Sequence, residues 1–277
     1  VYGRFTTSYT DVTGSPTTQF ETYTISARDS CDNIGPFNNA SQHTIYLTVT
    51  QINCSDELLL NWNFYDNWTA GVFEYEIWVD RNFAGSAPVD DVTNTSNSYS
   101  LTGINDGDNV CITVQAKRAD GTAVAVSNEV CLLVNIVQAA DYTVIRNVTV
   151  NGPAQIGVEW YPDTNADLEK VSIQRSSDNI EYVNLTTYPI GLPIPVVDSY
   201  NDNSIATNAI SFYYRIITID SCDNQDTSGY AKSIVLKGND NANFTNTISW
   251  TGFEIQDGTV QEYRIYRDDG AGLVLIN

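Results

Sequence analysis

The sequence predicts an all-β chain built as a tandem array of small β-sandwiches, and three observations carry that prediction. The first is composition: 277 residues with 42% hydrophobic and 17% charged side chains and 17 tyrosines, against about 25% charge in an ordinary soluble protein. Tyr, Thr, Val, Ile and Asn fill the gap, which is the chemistry of sheets and turns. The second is patterning, since short runs of alternating apolar and polar residues recur between clusters of turn residues. The third is internal repetition. Tyr9 and the run Asp29-Ser-Cys-Asp-Asn33 return 191 positions later as Tyr200 and Asp220-Ser-Cys-Asp-Asn224. Trp62 with Glu74-Tyr75-Glu76-Ile77 returns 188 positions later as Trp250 with Glu262-Tyr263-Arg264-Ile265. A period near 190 is twice one sandwich, so each long repeat holds two modules of different type.

Leu58-Leu-Leu60-Asn-Trp62, Ile156-Gly-Val158-Glu-Trp160 and Thr247-Ile248-Ser-Trp250 share one pattern and mark three second strands. They divide the chain into the C-terminal part of a module over 1–46, whole modules over 47–137 and 138–236, and the N-terminal part of a further module over 237–277. In the first whole module the alternation places strand A at 45–50, B at 58–64, C at 73–79, E at 98–101, F at 110–116 and G at 127–132. Along strand C, Tyr75 and Ile77 share the core face and Trp78 points the other way. Asn105-Asp-Gly-Asp108 supplies the turn before F. No helix is expected. Strands G and A run together near residues 45 and 234, which predicts stiff junctions there, while 135–140 forms a looser connector. The chain has no methionine and begins and ends within modules, which reads as a segment of a longer protein with open strand edges at both ends.

Five cysteines without a CxxC pair, together with a single histidine, argue for disulfides in an oxidising compartment over a metal site. If Gly121 centres the F to G hairpin, residue 117 opposes 125, 115 opposes 127, 113 opposes 129, and Cys111 opposes Cys131. Opposed non-hydrogen-bonded residues stand about 4.5 Å apart, close enough to bridge. The alternative is a pair of buried thiols. Cys31, Cys54 and Cys222 are left unpaired: Cys31 and Cys222 occupy equivalent loops, but Ala242 stands where the later repeat would match Cys54.

With 34 acidic against 13 basic residues the net charge is −21, which disfavours nucleic acid and anionic lipid as partners. The acids are scattered through loops as a solvated surface, and no apolar run approaches the roughly 18 residues of a membrane span. Catalysis finds little to work with: His43 is the sole histidine, and no phosphate-binding glycine loop or metal cluster occurs. No enzymatic activity and no cofactor are expected. The candidate contact group is Tyr65, Trp68 and Trp78, whose rings either pack against the preceding module or meet a sugar or protein ligand.

The run from Ser98 to Ala116, with Trp62, Trp160 and Trp250, resembles the E to F region and the buried tryptophan of fibronectin type III repeats, which implies immunoglobulin-like sandwiches. Where that family has a corner tyrosine before strand F, this chain has Val110, Glu21 and Phe212, so the corner hydrogen bond is expected to be missing. A narrower likeness rests on Asp-Ser-Cys-Asp-Asn, His43-Thr-Ile-Tyr-Leu47, Trp68 with Gly71-Val72, and Trp160-Tyr-Pro-Asp-Thr-Asn-Ala-Asp167 with Ile173-Gln-Arg175. It is similar to the alternating modules of very large Bacteroidota surface proteins that carry gliding-motility-associated C-terminal domains and leave by type IX secretion. That resemblance implies an extracellular, cell-surface stalk or adhesin segment holding a distal adhesive or motility domain away from the cell. Its partners would be neighbouring modules of the same chain and surface glycans or proteins. The alternative is a set of sugar- or protein-binding accessory modules of a secreted carbohydrate-active enzyme.

Overall fold

The computed structural model describes residues 7–37 and 41–276, and the regular structure among them is strand throughout. The chain divides into two compact units, Val1–Ile136 and Val137–Asn277.

The first unit opens with a hairpin of β1 (Thr22–Tyr23) and β2 (Gln42–His43). A sandwich follows. One sheet orders β3 (Leu47–Gln51), β4 (Leu58–Trp62) and β7 (Ser98–Leu101). The facing sheet orders β10 (Val130–Leu133), β8 (Asn109–Arg118), β5 (Val72–Arg81) and β6 (Ala87–Thr93), with β9 (Val124–Val126) also on β8. Alternation explains the packing: Leu58, Leu60 and Trp62 point inward from β4, and Tyr75, Ile77 and Val79 from β5. Val110, Ile112 and Val114 meet them from β8, all fully buried, and each such side chain contributes on the order of 1.5–3 kcal/mol. Trp78 lies on the opposite, outward face of β5. Strand β6 goes beyond the sequence expectation; it is an exposed edge strand carrying Pro88 and the Asp90-Asp91 pair.

The β8 hairpin corrects the expected register near its turn. A hydrogen bond from Arg118 N to Ala123 O (3.0 Å) closes a loop over 119–122, with Gly121 at φ 73°. Gln115 therefore opposes Val126 and Lys117 opposes Val124, one step away from the pairing expected with Gly121 at the centre. Residues 127–129 then face only 113–114, a bulge fixed by Ser127, whose Oγ accepts from Val114 N at 2.9 Å while its own N donates to Val114 O. The extra residue restores the original frame, and Cys111 and Cys131 face each other.

The second unit repeats the plan. Strands β11 (Thr143–Gly152), β12 (Gln155–Pro162) and β15 (Asp198–Asp202) form one sheet, and the other orders β14 (Val183–Pro189), β13 (Leu168–Ser176), β16 (Tyr213–Asp220) and β18 (Ala231–Lys232), with β17 (Gln225–Thr227) beside β16. Trp160, Ile173, Tyr214 and Ile216 are fully buried between the sheets. The chain goes on through the hairpin of β19 (Leu236–Asp240) and β20 (Asn246–Trp250), the short β21 (Glu254–Ile255), and the hairpin of β22 (Tyr266–Asp268) and β23 (Leu273–Leu275). Strand β21 pairs with β18, and Phe253 and Ile255 pack on the sandwich core.

The 188-residue repeat is structural as well as sequential. Trp62 and Tyr75 rings stand 5.5 Å apart at 58°, and Trp250 and Tyr263 stand 5.5 Å apart at 56°. Each tyrosine hydroxyl then holds the loop after the tryptophan, accepting from Tyr65 N at 2.8 Å in the first copy and from Phe253 N at 2.9 Å in the second.

Candidate functional site

The structure brings two of the three candidate aromatic residues together and separates the third. Tyr65 and Trp68 lie in the loop between β4 and β5, edge to face at 4.7 Å, half-buried against the sandwich core. Tyr65 also meets His43 edge to face at 6.0 Å, and His43 meets Phe20 at 6.0 Å. Trp78 is on the outer face of β5, where its Nε1 donates to Glu76 Oε2 at 3.0 Å.

Around Tyr65, residues 42–46 are fastened to residues 63–67. Gln42 Nε2 donates to Asn67 O (3.3 Å), Asn67 Nδ2 to His43 O (3.0 Å), Asn63 Nδ2 to Thr44 O (3.1 Å), and Tyr46 N to Asn63 Oδ1 (2.7 Å). His43 Nε2 lies 3.1 Å from Phe64 O and 3.2 Å from Asp66. Thr44 reaches the other way, its N donating to Glu21 O and its Oγ1 accepting from Glu21 N, both at 2.9 Å. Ile45, between them, is buried in the sandwich. Each bond is worth about 1 kcal/mol net, and together they fasten the two stretches to each other. His43 is thereby a junction residue held against a main-chain carbonyl.

Cys111 and Cys131 form a disulfide with S–S 2.06 Å. It lies on the outward face, because Val110 and Ile112 on either side of Cys111 point into the core. Among the described residues, the one group with clustered metal-donor atoms is Cys111, Glu129 and Cys131, and its two sulfurs are already bonded to each other. Cys54 and Cys222 are also disulfide-bonded, which corrects the reading that left them unpaired, while Cys31 is free and exposed. Loop cysteines have no strand register from which pairing could be read.

Two further constellations come from residues that sequence reasoning passed over. In the repeated Asp-Ser-Cys-Asp-Asn run, the first aspartate templates the turn. Asp29 Oδ1 accepts from Cys31 N (2.8 Å) and Asn33 N (2.9 Å), and Asp220 Oδ1 accepts from Cys222 N (2.8 Å) and Asn224 N (2.9 Å). The fourth residue takes positive φ in both copies, 70° at Asp32 and 61° at Asp223, a conformation that aspartate tolerates.

The second constellation corrects the expectation of a missing corner bond. Tyr214, near the start of β16, is fully buried and donates from its hydroxyl to Asp202 Oδ2 at 2.9 Å. Arg175 NH1 donates to the same oxygen at 2.6 Å, and Ser204 N and Oγ donate to Oδ1 at 3.0 and 2.7 Å. Burial pushes the Asp202 carboxyl up, but these hydrogen bonds outweigh it and hold the group below its ordinary range. Burial and the neighbouring carboxylate both raise the Tyr214 phenol. The earlier copy keeps part of the frame: the Tyr23 hydroxyl lies 2.6 Å from Glu21 Oε2 and 3.2 Å from Asp11 Oδ2, and Thr13 N and Oγ1 donate to Asp11 Oδ1 at 2.9 and 2.8 Å. A side-chain carboxylate has taken over the anchoring of the loop before strand F, with the tyrosine two positions later than the family pattern suggests. Asn128 is the other missed residue; its Oδ1 accepts from Leu47 N at 2.7 Å and its Nδ2 donates to Leu47 O at 3.0 Å, tying β3 to the end of the facing sheet.

No protein-family model and no curated protein matches the chain. Among solved structures the chain is similar to a two-domain fibronectin type III segment from chicken tenascin, at 12% identity and a TM-score of 0.28, over 65% of this chain and 94% of that one.

Proposed function

We propose that this chain is a non-catalytic structural segment of a long extracellular surface protein, a stalk or adhesin shaft that holds a distal adhesive or motility domain away from the cell. The observation that carries the reading is the clasp of residues 42–46 onto 63–67, which spends polar side chains and Tyr65 on joining consecutive β elements. The pairing of β21 with β18, with Lys232 bonded to Glu254 at 2.5 Å, supports it in the second unit. Each sandwich fills its interior with its own side chains, and the outward disulfide staples the last strand of the first one. The resemblance of the alternating modules to Bacteroidota surface proteins supports a cell-surface location and export by type IX secretion. Partners in this reading are neighbouring modules and the glycans or proteins met by the distal domain.

Exchange tests it. In the parent protein, residues 47–236 are replaced by an unrelated pair of sandwiches of equal length, and surface adhesion and reach are measured. A shaft tolerates the exchange and loses reach when the insert is shortened. Loss of adhesion with an equal-length insert would mean that these modules carry recognition themselves, as accessory modules of a secreted carbohydrate-active enzyme would.

A further inference from the structure

We propose that a second copy of this chain docks on an apolar groove within residues 234–266, adding its own segment Thr22–Arg28 there as a β-strand. The groove corresponds to a sandwich core left open. Leu236 opposes Trp250 as Leu47 opposes Trp62. Ile234, Leu236, Ile248, Trp250, Tyr263 and Ile265 therefore stand where the first sandwich has Ile45, Leu47, Leu60, Trp62, Tyr75 and Ile77. In the first sandwich these positions are at most 4% exposed. In the later copy they line a groove of about 210 Å³, with Leu236 63% exposed and Ile248, Trp250 and Tyr263 36–39% exposed. Rings and aliphatic side chains grouped in the open mark a docking surface.

The first sandwich shows what covers such a face. Ala116 and Val114 of β8 lie opposite Tyr75 and Ile77, on the edge of β5 that faces away from β6. The counterpart of β5 is β22, which pairs with β23 alone among the described residues; Ile265 O accepts from Ile276 N (2.8 Å) on that same side. The opposite edge is open to a strand of β8's kind.

The chain carries one. Tyr23-Thr-Ile25-Ser-Ala27-Arg28 repeats the order of Ile112-Thr-Val114-Gln-Ala116-Lys117, with an apolar residue at every second position, alanine last and then a base. Tyr23 and Ile25 are exposed, and β1 has β2 as its one strand neighbour among the described residues, where β16 has β13 on its other edge. Set antiparallel in the register of β8, Ala27 meets Tyr263, Ile25 meets Ile265, Tyr23 meets Arg267 and Arg28 meets Glu262. The second sandwich makes matching pairs, Ile216 opposite Ile173 and Tyr214 opposite Arg175. In the first, Lys117 bonds Glu74, the counterpart of Glu262, at 2.9 Å. Arg28 and Glu262 now hold the exposed neighbours Asp32 and Arg264, and surface pairs of that kind exchange at little cost.

Strand addition supplies main-chain hydrogen bonds along the edge while the alternate side chains fill the groove. Donor and groove are different surfaces, so the contact is heterologous and each joined pair keeps one of each open. The net charge of −21 opposes association. Segment 22–28 itself carries only Arg28, and repulsion beyond about 8 Å is screened at physiological salt, so association should strengthen as salt rises.

Sedimentation velocity of the full chain tests the proposal, with the exposed Cys31 thiol alkylated so that copies cannot crosslink. The expected result is a mass that rises with concentration, more so at physiological than at low salt. Ile25→Asp spoils the donor and Ile265→Asp the groove, so each variant alone should stay monomeric. Mixed, they should form dimers and nothing larger, because Ile265→Asp keeps a donor and Ile25→Asp keeps a groove. That restoration survives any loosening of the Ile265→Asp hairpin, since the donor lies in the other unit. A chain that stays monomeric at every concentration overturns the proposal, as does association that persists in either variant or a mixture that forms no dimer.

Discussion

Replacing Tyr214 with Phe removes one oxygen from the interior of the second unit's sandwich and leaves the ring where it is. The hydroxyl donates to Asp202 Oδ2 at 2.9 Å, and Asp202 is 1% exposed, so water cannot take the donor's place. The carboxylate keeps Arg175 and both donors of Ser204, so the charge stays paired and only one bond is lost. A hydrogen bond to an ionised group contributes about 1.5–3 kcal/mol. In a module of about 100 residues each kcal/mol moves the melting temperature by about 4–8 °C, so the transition should fall by roughly 10 °C. Differential scanning calorimetry on the full chain reads the shift, and peptide-level hydrogen exchange over 198–220 assigns it to the loop between β15 and β16. Tyr23→Phe is the internal control, since its ring is 41% exposed and its hydroxyl partners Glu21 and Asp11 are both partly exposed; that variant should melt like the unaltered chain. A Tyr214→Phe transition displaced by less than about 2 °C would refute the claim that this carboxylate anchors the corner.

Asn128→Ala removes both bonds that tie Leu47 to the facing sheet and leaves a buried main-chain pair unsatisfied, so the first sandwich should lose about 1–3 kcal/mol, with amide protection falling first in β3. Substituting Cys111 and Cys131 together by Ser opens a crosslink spanning 20 residues, which in the chain-entropy view costs about 3 kcal/mol; an unaltered urea midpoint would show that the crosslink contributes nothing to this sandwich. Asp202 has a folded pKa below its ordinary 3.8, so the stability from its ionised form is complete above that value and disappears as pH falls through the lower, folded one. Urea melts of the parent chain and Asp202→Asn should therefore differ at pH 7 and converge toward pH 2; a difference independent of pH would contradict the assignment.

What could be read from the sequence was whatever alternation makes explicit. Period two alone puts Tyr75 and Ile77 inward and Trp78 outward, whereas Tyr65 and Trp68 lie in the loop before that strand, where no parity applies. Strand β6 was invisible because an edge strand with almost no buried residue carries no alternation, and Pro88 with Asp90-Asp91 looks like a loop. The cysteine pairing across β8 and β10 was reached through a register one step out at the turn, which the Ser127 bulge compensates. Such a bulge depends on one side chain replacing a ladder bond, and no periodicity reports it. The corner was within reach: Asp11 and Tyr23 recur as Asp202 and Tyr214 at the 191-residue offset already found. The family's own tyrosine position, two residues earlier, holds Phe212 and gives no sign of it.

A shaft of self-contained sandwiches should unfold one sandwich at a time under force. Pulling single molecules by their ends tests it most directly, in a reductant so that crosslinks do not shorten the released length. The account predicts two dominant unfolding events, each releasing roughly 30 nm, the contour of one sandwich of about 90–100 residues. A single event releasing the whole chain, or smooth extension with no event at all, would contradict it.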